Sequence, residues 1–206
     1  MARFQDLVPQ YLYTERLTLE LFNRSQEHYD IILSTMNTQT AHTTMGDFGI
    51  RTPAQFDEFF GAARIRDNKF KDGRANGDLM YLIRLGPHNA AGELIGAISL
   101  AQQVIGGVVV PPDAGWMIAE AHMGKGYATE AAQELMRWVT KDFGMKDVTV
   151  IASTTNPASN SVAEKLGFVE GGQIPDGDRP GKTYNVLILP GMEKIDIKEA
   201  LAIKRE

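Results

Sequence analysis

The chain has 206 residues, of which 43% are hydrophobic and 23% charged, and its formal net charge is −5. This length and composition are typical of one globular domain with an additional terminal segment. The excess of acidic residues argues against a general nucleic-acid-binding protein, which needs concentrated positive charge. Cysteine is absent, which excludes disulfides, a thiol nucleophile and a cysteine-ligated zinc site. The four histidines are scattered along the chain, so no metal site is expected.

The amino-terminal segment has no apolar run of the length that a secretory signal peptide requires. A membrane-spanning helix needs about 18 or more consecutive apolar residues, and the sequence contains no such run. We therefore expect a cytoplasmic protein without a membrane partner.

The first part of the chain predicts one strand followed by two helices. Residues 16–22 alternate leucine with polar residues, the pattern of a strand with one buried face. Apolar residues then recur at helical spacing over 29–36, and the polar segment 37–49 predicts a long loop. Residues 52–55 (TPAQ) form a capping box with proline at the first helical position. The predicted apolar face of this second helix consists of Phe56, Phe59, Phe60, Ala63 and Phe70.

From residue 79 onward, predicted strands alternate with helices. Short apolar or alternating runs separated by turn residues predict strands at 79–85, 94–100, 114–118, 148–152, 168–173 and 184–189. A long helix is predicted from about residue 125 to Gly144, and another after Asn156. This order predicts an α/β fold, a mixed sheet with helices on both faces.

We interpret residues 1–206 as a single domain with a core at 16–190. Residues 191–206 form a carboxy-terminal extension. Within it, Asp196 and Glu199 are spaced as a capping pair, so residues 196–204 could form a short helix.

The segment 116–130, WMIAEAHMGKGYATE, predicts a strand, a short loop with Gly124 and Gly126, and a helix. Glycines let backbone N–H groups approach a ligand closely, and the start of a helix attracts a phosphate. An ordinary glycine-containing turn explains the segment equally well, and both interpretations stay open here. The spacing fits neither a Walker A loop nor a Rossmann fingerprint, because Ala119 and Thr129 stand where glycines are required. ATP and NAD are therefore disfavoured.

Three segments occur in a fixed order over roughly residues 79–173. They are GELIGAISL (92–100), MGKGYA (123–128) and NPASNSVAEKLGF (156–168). Together they resemble the GCN5-related N-acetyltransferases (GNAT), especially the RimJ/RimL branch of ribosomal-protein N-terminal acetyltransferases. The first resembles the central hairpin strand of that family, and the second its pyrophosphate loop, (Q/R)-x-x-G-x-(G/A). The third resembles the N-x-x-S-x-x-V-x-E-K-x-G-F helix of the family.

The resemblance implies a GNAT-like single domain with a mostly antiparallel, twisted sheet, and acetyl-coenzyme A as the acetyl donor. It implies that main-chain groups of the strand before the loop bind the pantetheine arm. Backbone N–H groups of the loop would bind the pyrophosphate, although Met123 stands where the family has Gln or Arg. The implied cofactor-binding residues are Trp116, Met117, Ile118, Met123, Gly124, Lys125, Gly126, Tyr127, Ala128, Thr129, Asn156, Ser159 and Asn160.

The acid–base groups familiar in this family are missing, because Ala163 and Ile151 occupy the positions of its tyrosine and glutamate. By the resemblance, Ser159 would face the pantetheine sulfur and could protonate the leaving thiolate. Asp113 is the acid nearest the expected acceptor channel, and Tyr184 on the last strand could reach the cleft. Each has a structural alternative: a serine that satisfies helix backbone, a solvated loop aspartate and a half-buried strand tyrosine.

The predicted activity is transfer of an acetyl group from acetyl-CoA to a primary amine by direct attack in a ternary complex. Without cysteine, no covalent acetyl-enzyme is expected. The acceptor is a protein N-terminal α-amine or a small-molecule amine, and the acidic net charge does not distinguish the two. The alternative is a non-catalytic acyl-CoA-binding module. We expect a monomer or homodimer without a nucleic-acid partner.

Overall fold

The computed structural model describes residues 8–63, 79–101, 104–105, 108–109, 111–175 and 183–192. The strands are β1 (Tyr11–Tyr13), β2 (Leu17–Leu21), β3 (Leu79–Leu85), β4 (Leu94–Ala101), β5 (Val104–Ile105), β6 (Val108–Val109), β7 (Asp113–Ile118), β8 (Thr149–Ser153), β9 (Val169–Pro175) and β10 (Thr183–Ile188). The helices are α1 (Gln26–Met36), α2 (Gln39–Thr44), α3 (Pro53–Ala63), α4 (Tyr127–Arg137) and α5 (Pro157–Lys165). A 3₁₀ turn covers Glu120–His122, and a π-helical turn at Trp138–Asp142 extends α4.

Eight strands form one sheet in the order β1-β2-β3-β4-β7-β8-β10-β9, and β5 pairs with β6 as a separate short hairpin. Within the large sheet every neighbouring pair is antiparallel except β7 and β8, which are parallel. The prediction of a mixed, mostly antiparallel sheet is therefore confirmed.

Helices cover both faces of the sheet, as predicted. On one face the sheet packs against α4 and α5 through Leu135 and Ala163. On the other face it packs against α1 and α3 through Ile32 and Phe56. Successive strand residues point to opposite faces, and β3 shows this division, since Leu82 belongs to the second cluster and its neighbours to the first.

The strand β2 differs from its prediction, because both of its faces are buried. Thr18 and Glu20 lie on the predicted polar face and are 0% and 9% exposed. The Glu20 carboxylate accepts a 2.6 Å hydrogen bond from Nε of Arg84, whose guanidinium also binds Glu27 of α1. Burial of a charged group requires such pairing. The leucine alternation correctly indicated a strand, but it did not reveal that α1 covers the polar face.

The predicted loop 37–49 contains the short helix α2, so this prediction was wrong in part. The Thr38 side chain caps α2 by accepting a 3.1 Å hydrogen bond from the N–H of Ala41. Six residues with a single apolar one, Ala41, are too few to show a hydrophobic period, and the cap was the signal that could have revealed the helix. The three-residue strand β1 and the β5–β6 hairpin were also missed, because strands this short show no alternation.

The capping box of α3 is confirmed, since Gln55 N donates to Thr52 Oγ1 at 3.2 Å and Thr52 N donates to Gln55 Oε1 at 3.1 Å. Phe56 is buried as predicted, whereas Phe59 is 41% exposed and does not belong to the buried face. The side chains of residues 60 and 63, residue 70 and the predicted helix at 196–204 lie outside the part of the chain that is described.

Gly96 lies where β4 passes closest to β7, and replacing it should destabilise the sheet. A Cβ at this position would lie 2.1 Å from the carbonyl oxygen of Met117, a backbone atom that no side-chain rotation can move. Gly96→Ala should therefore lower the free energy of unfolding by about 2–3 kcal/mol, measured by denaturant titration. The control is Gly115→Ala on β7, where a Cβ would meet Ser99 Oγ at an ordinary 3.4 Å. Equal losses in the two variants would contradict the close-approach argument.

Candidate active site

The parallel strands β7 and β8 pair at one position and then separate. Asp113 lies opposite Thr149, whose N–H donates to the Pro112 carbonyl at 2.7 Å. The next inward N–H of β8, that of Ile151, donates to Oδ1 of Asp113 at 2.7 Å rather than to a carbonyl of β7. Beyond this point the edge of β7 that faces β8 has no strand partner in the part of the chain that the structure describes. We call the space between the two strands the V-shaped opening.

The open end of the V-shaped opening lies at the carboxyl ends of both strands, where ligands commonly bind in α/β sheets. After β7 come the 3₁₀ turn and residues 123–126, which we call the glycine loop, and then α4. After β8 come a short turn, the cap residue Asn156 and α5. Two helix starts and one free strand edge therefore border the same opening.

In the glycine loop the N–H of Met123 donates to the Glu120 carbonyl, whereas the N–H groups that follow it have no backbone partner among the described residues until Glu130. Gly124 and Gly126 have φ of +74° and +81°, a left-handed conformation that glycine adopts without strain. A Cβ on Gly124 would meet nothing within 4 Å. Gly126 caps α4 without a side-chain hydrogen bond, and no described residue accepts from the N–H groups of 127–129. Such a helix start suits a phosphate group.

The side chains of Trp116, Met117 and Ile118 pack against the hydrophobic clusters and do not line the V-shaped opening. Ile118 is 7% exposed in the core next to α4, and Trp116 packs against the same cluster. Met117 packs against the cluster next to α1. What these residues can offer a ligand is the main chain of the unpaired edge, the type of contact that the sequence predicted.

The residues at the start of α5 that the sequence predicts to bind the cofactor have different roles in the structure. Asn156 Oδ1 caps the helix by accepting a 3.1 Å hydrogen bond from Ser159 N. The Asn160 amide donates to the carbonyls of Ser153 and Asn156, and its Oδ1 accepts from Asn185 at 2.8 Å. Because this amide is fully engaged within the protein, it holds the turn after β8 rather than offering donors to a cofactor.

Ser159 is half-buried at the start of α5, and none of the described residues forms a hydrogen bond with its Oγ. The structural alternative, a serine hydroxyl that satisfies helix backbone, is therefore not observed. The hydroxyl remains available to a molecule in the opening.

Asp113 is the first residue of β7 and not a solvated loop residue. Part of the residue is accessible, yet its carboxyl lies deep among protein atoms at the closed end of the opening. Burial raises the pKa of Asp113 to about 8, although the hydrogen bond from Ile151 N opposes this shift. A carboxyl with such a pKa exchanges protons near neutral pH.

The three catalytic candidates do not lie together. Asp113 and Tyr184 lie on the same sheet face, opposite α5, because each pairs with an alternate residue of β8. Four residues along β8 and two strand spacings separate them, a distance of about 16 Å. Tyr184 packs near Ile151 and Ile174, whereas Ser159 lies on the α5 side. Asp113 marks the closed end of the opening, and the other two lie near its open end.

Sequence reasoning missed Arg16, which lies before β2 and contacts the glycine loop. Its Nη1 donates to the carbonyl of Lys125 at 3.1 Å, and its Nε donates to Oε2 of Glu130 at 2.6 Å. The two partners lie more than 100 residues away in sequence, so no local pattern could have indicated the contact.

Within the described segments, no three His, Cys, Asp or Glu side chains are grouped so that they could hold a metal ion. No helix in these segments is long and apolar enough to cross a membrane.

A strand edge without a partner among the described residues leads to a helix start whose chemistry suits a phosphate, which fits an elongated molecule with an amide-rich arm and a phosphate end. The family model described as an acetyltransferase (GNAT) domain matches residues 16–169, so this chain belongs to the GNAT acetyltransferase family. This confirms the predicted family and its enzyme class, the acyltransferases that take the acetyl group from acetyl-CoA.

A curated relative is YdaF of Bacillus subtilis, whose name provisionally assigns it ribosomal N-acetyltransferase activity. It is 33% identical over 86 residues, which are 42% of this chain and 46% of YdaF. The match therefore spans less than half of that relative.

Solved structures with a similar fold include an acetyltransferase from Agrobacterium tumefaciens, with a TM-score of 0.63 and 24% identity over 87% of this chain and 94% of that chain. A GNAT-family acetyltransferase from Bacillus anthracis has a TM-score of 0.62 and 18% identity over 87% and 97%. Spermidine N-acetyltransferase from Vibrio cholerae, in complex with CoA and spermine, has a TM-score of 0.61 and 16% identity over 85% and 96%. At these identities the likeness confirms the fold alone.

If Asp113 accepts a proton during the reaction, Asp113→Asn should abolish one proton-dependent step while keeping the hydrogen bond to Ile151 N. Activity should rise as pH increases through about 8, because only the deprotonated carboxyl can act as a base. The acceptor amine deprotonates in the same range, so the measurement is kcat/KM against pH for both proteins with one acceptor. On the acidic side of the profile, the fall in kcat/KM should depend on one proton fewer in Asp113→Asn than in the wild-type protein.

Asp113→Ala is the structural comparison, since it also removes the acceptor for Ile151 N. It should lower the melting temperature more than Asp113→Asn does. If Asp113→Asn keeps the wild-type pH profile, Asp113 has only a structural role, which is to join the two strands.

Proposed function

We propose that this chain transfers an acetyl group from acetyl-CoA to a primary amine by direct attack in a ternary complex. The observation that carries the proposal is the V-shaped opening between β7 and β8, whose open end meets the glycine loop and the start of α4. The proposed acceptor is a protein N-terminal α-amine or a small-molecule amine.

The dimensions and chemistry of the opening fit acetyl-CoA. From Ile118 back to Asp113, β7 spans about 17 Å, enough for an extended arm lying along the strand. The unpaired edge offers alternating N–H and C=O groups to the two amides of pantetheine. The N–H groups of 127–129 and the dipole of α4 offer donors to the pyrophosphate. In this proposal, backbone atoms of Met123 to Thr129 bind the phosphates.

The reaction requires that the amine lose a proton and the sulfur gain one. The amine nitrogen attacks the thioester carbonyl carbon, the carbon–sulfur bond breaks, and the sulfur leaves as a thiolate. A backbone N–H of β7 would stabilise the negative charge that develops on the carbonyl oxygen. An α-amine with a pKa of about 8 is roughly a tenth neutral at pH 7, whereas a lysine is neutral in only about 4 molecules in 10⁴. An α-amine therefore needs only a weak base.

In this mechanism Asp113 accepts the amine proton through bridging water, because it lies well apart from Ser159, which donates a hydrogen bond or proton to the sulfur. Asp113 lies at the closed end of the opening, the end that the acetyl group reaches when the phosphates occupy the glycine loop. Tyr184 lies on the face opposite α5, which supports a role for it toward the acceptor rather than toward CoA. The amine would then approach from one face of the sheet and acetyl-CoA from the other.

Two relatives suggest which acceptors to test first. The name of YdaF points to a ribosomal protein N-terminus, and the Vibrio cholerae structure contains spermine. The predicted cytoplasmic location, the single domain at 1–206, the monomer or homodimer, and the absence of nucleic-acid and membrane partners stay predictions.

The first experiment is a calorimetric titration with acetyl-CoA, with ATP and NAD as controls, followed by single-turnover acetylation. The acceptors are peptides with a free N-terminus, the same peptides with a blocked N-terminus, and spermidine. Binding of acetyl-CoA and acetylation of at least one free amine would support the proposal. Binding without acetylation of any amine would favour the non-catalytic acyl-CoA-binding module, and no binding would overturn both.

Ser159→Ala should lower kcat about tenfold or more and leave the affinity for acetyl-CoA within about twofold, because the hydroxyl would act mainly on the leaving sulfur. The control is Ser153→Ala on β8, whose hydroxyl already bonds to the Thr155 hydroxyl at 2.9 Å. An unchanged kcat in Ser159→Ala would return this serine to a structural role.

A further inference from the structure

Arg16 ties the segment before β2 to the glycine loop through several groups. Besides its bonds to the Lys125 carbonyl and to Glu130 Oε2, its backbone N–H donates to Glu130 Oε1 at 2.9 Å. Its guanidinium carbon lies 4.8 Å from the ring centroid of Tyr127, within the range of a cation–π contact. One side chain therefore contacts the last part of the loop and the first turn of α4 at three successive points.

The loop has few contacts of its own that would fix its shape. Both of its glycines are in the left-handed region, and the cap residue Gly126 has no side chain with which to bind the helix start. Glycine-rich segments lose more conformational freedom on ordering than others do. An external contact that fixes the Lys125 carbonyl also fixes the direction in which the following N–H groups point.

Arg16 also neutralises the acid in the first turn of α4. Glu130 lies in the first turn of α4 and its side chain is 16% exposed. Although burial opposes the effect, hydrogen bonds from Thr14 and Arg16 lower the pKa of Glu130, so the carboxyl is ionised at neutral pH. Without a cation beside it, this carboxylate would repel a pyrophosphate bound at the same helix start.

We propose that Arg16 is a positioning residue for acetyl-CoA: it holds the glycine loop in its phosphate-binding shape and offsets the charge of Glu130. This inference rests on the proposed function, because it assumes that the glycine loop binds the pyrophosphate. Arg16 acts through the loop, so its loss should weaken binding of the phosphate end and leave the acetyl-transfer step itself unchanged.

The test compares two donors, acetyl-CoA and acetyl-pantetheine, which has the same thioester arm but no pyrophosphate. In Arg16→Gln the KM and Kd for acetyl-CoA should rise about tenfold while kcat stays within about twofold. The kcat/KM for acetyl-pantetheine should not change, since that donor does not use the loop. A general disturbance of the fold would lower the activity with both donors, and that result would overturn the proposal.

The matched control is Arg137→Gln, which removes the same charge from α4, the helix that Arg16 contacts. Arg137 binds Glu134 and Asp142 and makes no contact with the described loop residues. It should leave the Kd for acetyl-CoA within about twofold, as expected for an exposed ion pair. An equal loss of affinity in both variants would show a general charge effect and overturn the positioning role.

Arg16→Lys separates charge from geometry. Lysine keeps the positive charge but cannot reach the carbonyl, the carboxylate and the ring at the same time. The affinity for acetyl-CoA should therefore stay weakened, and its full recovery in Arg16→Lys would overturn the positioning role. Failure of the wild-type protein to bind acetyl-CoA would instead remove the proposed function, so the two failures are distinguishable.

Discussion

The hydrogen bond between the Asp113 carboxylate and the N–H of Ile151 is the interaction on which the site depends. A continuous ladder between β7 and β8 would close the sheet and leave no free main chain in its middle. Because the side chain takes the place of a backbone acceptor, the ladder ends without leaving a buried N–H unpaired. The sheet can thus open at its centre while its outer strands stay paired. The bond is short, 2.7 Å, and it belongs to a group that also titrates near neutral pH.

At the opening, the two faces of the sheet carry different functional groups. The face with α4 and α5 carries the two helix starts and the glycine loop, whose free N–H groups favour anions. The other face carries Asp113 and Tyr184 between the helices α1 and α3 and the last strands. In the proposed mechanism acetyl-CoA approaches the gap between β7 and β8 from the face with the helix starts, and the amine approaches from the face with Asp113 and Tyr184.

Local sequence patterns could predict most helices and strands, but not the long-range contacts between them. The capping box of α3, the glycine ends of α4 and α5, and the loop motif all depend on neighbours within a few residues, and each was readable. The burial of Glu20 and the contacts of Arg16 depend on groups far away in sequence, and one sequence holds no signal for such pairs. Asn160 shows the same limit, because a motif position does not reveal that its amide already binds Ser153 and Asn185.

The bond between Arg16 and Glu130 joins the segment before β2 to the first turn of α4, 114 residues further on. The recognisable family segments lie at roughly 79–173, so a fragment cut to those segments would keep every motif and lose this partner. A substitution at one of the two positions leaves the charge of the other without its partner. The two positions are thus expected to vary together among descendants of this chain, and both lie within the matched family region 16–169, although outside the glycine-loop segment 123–128.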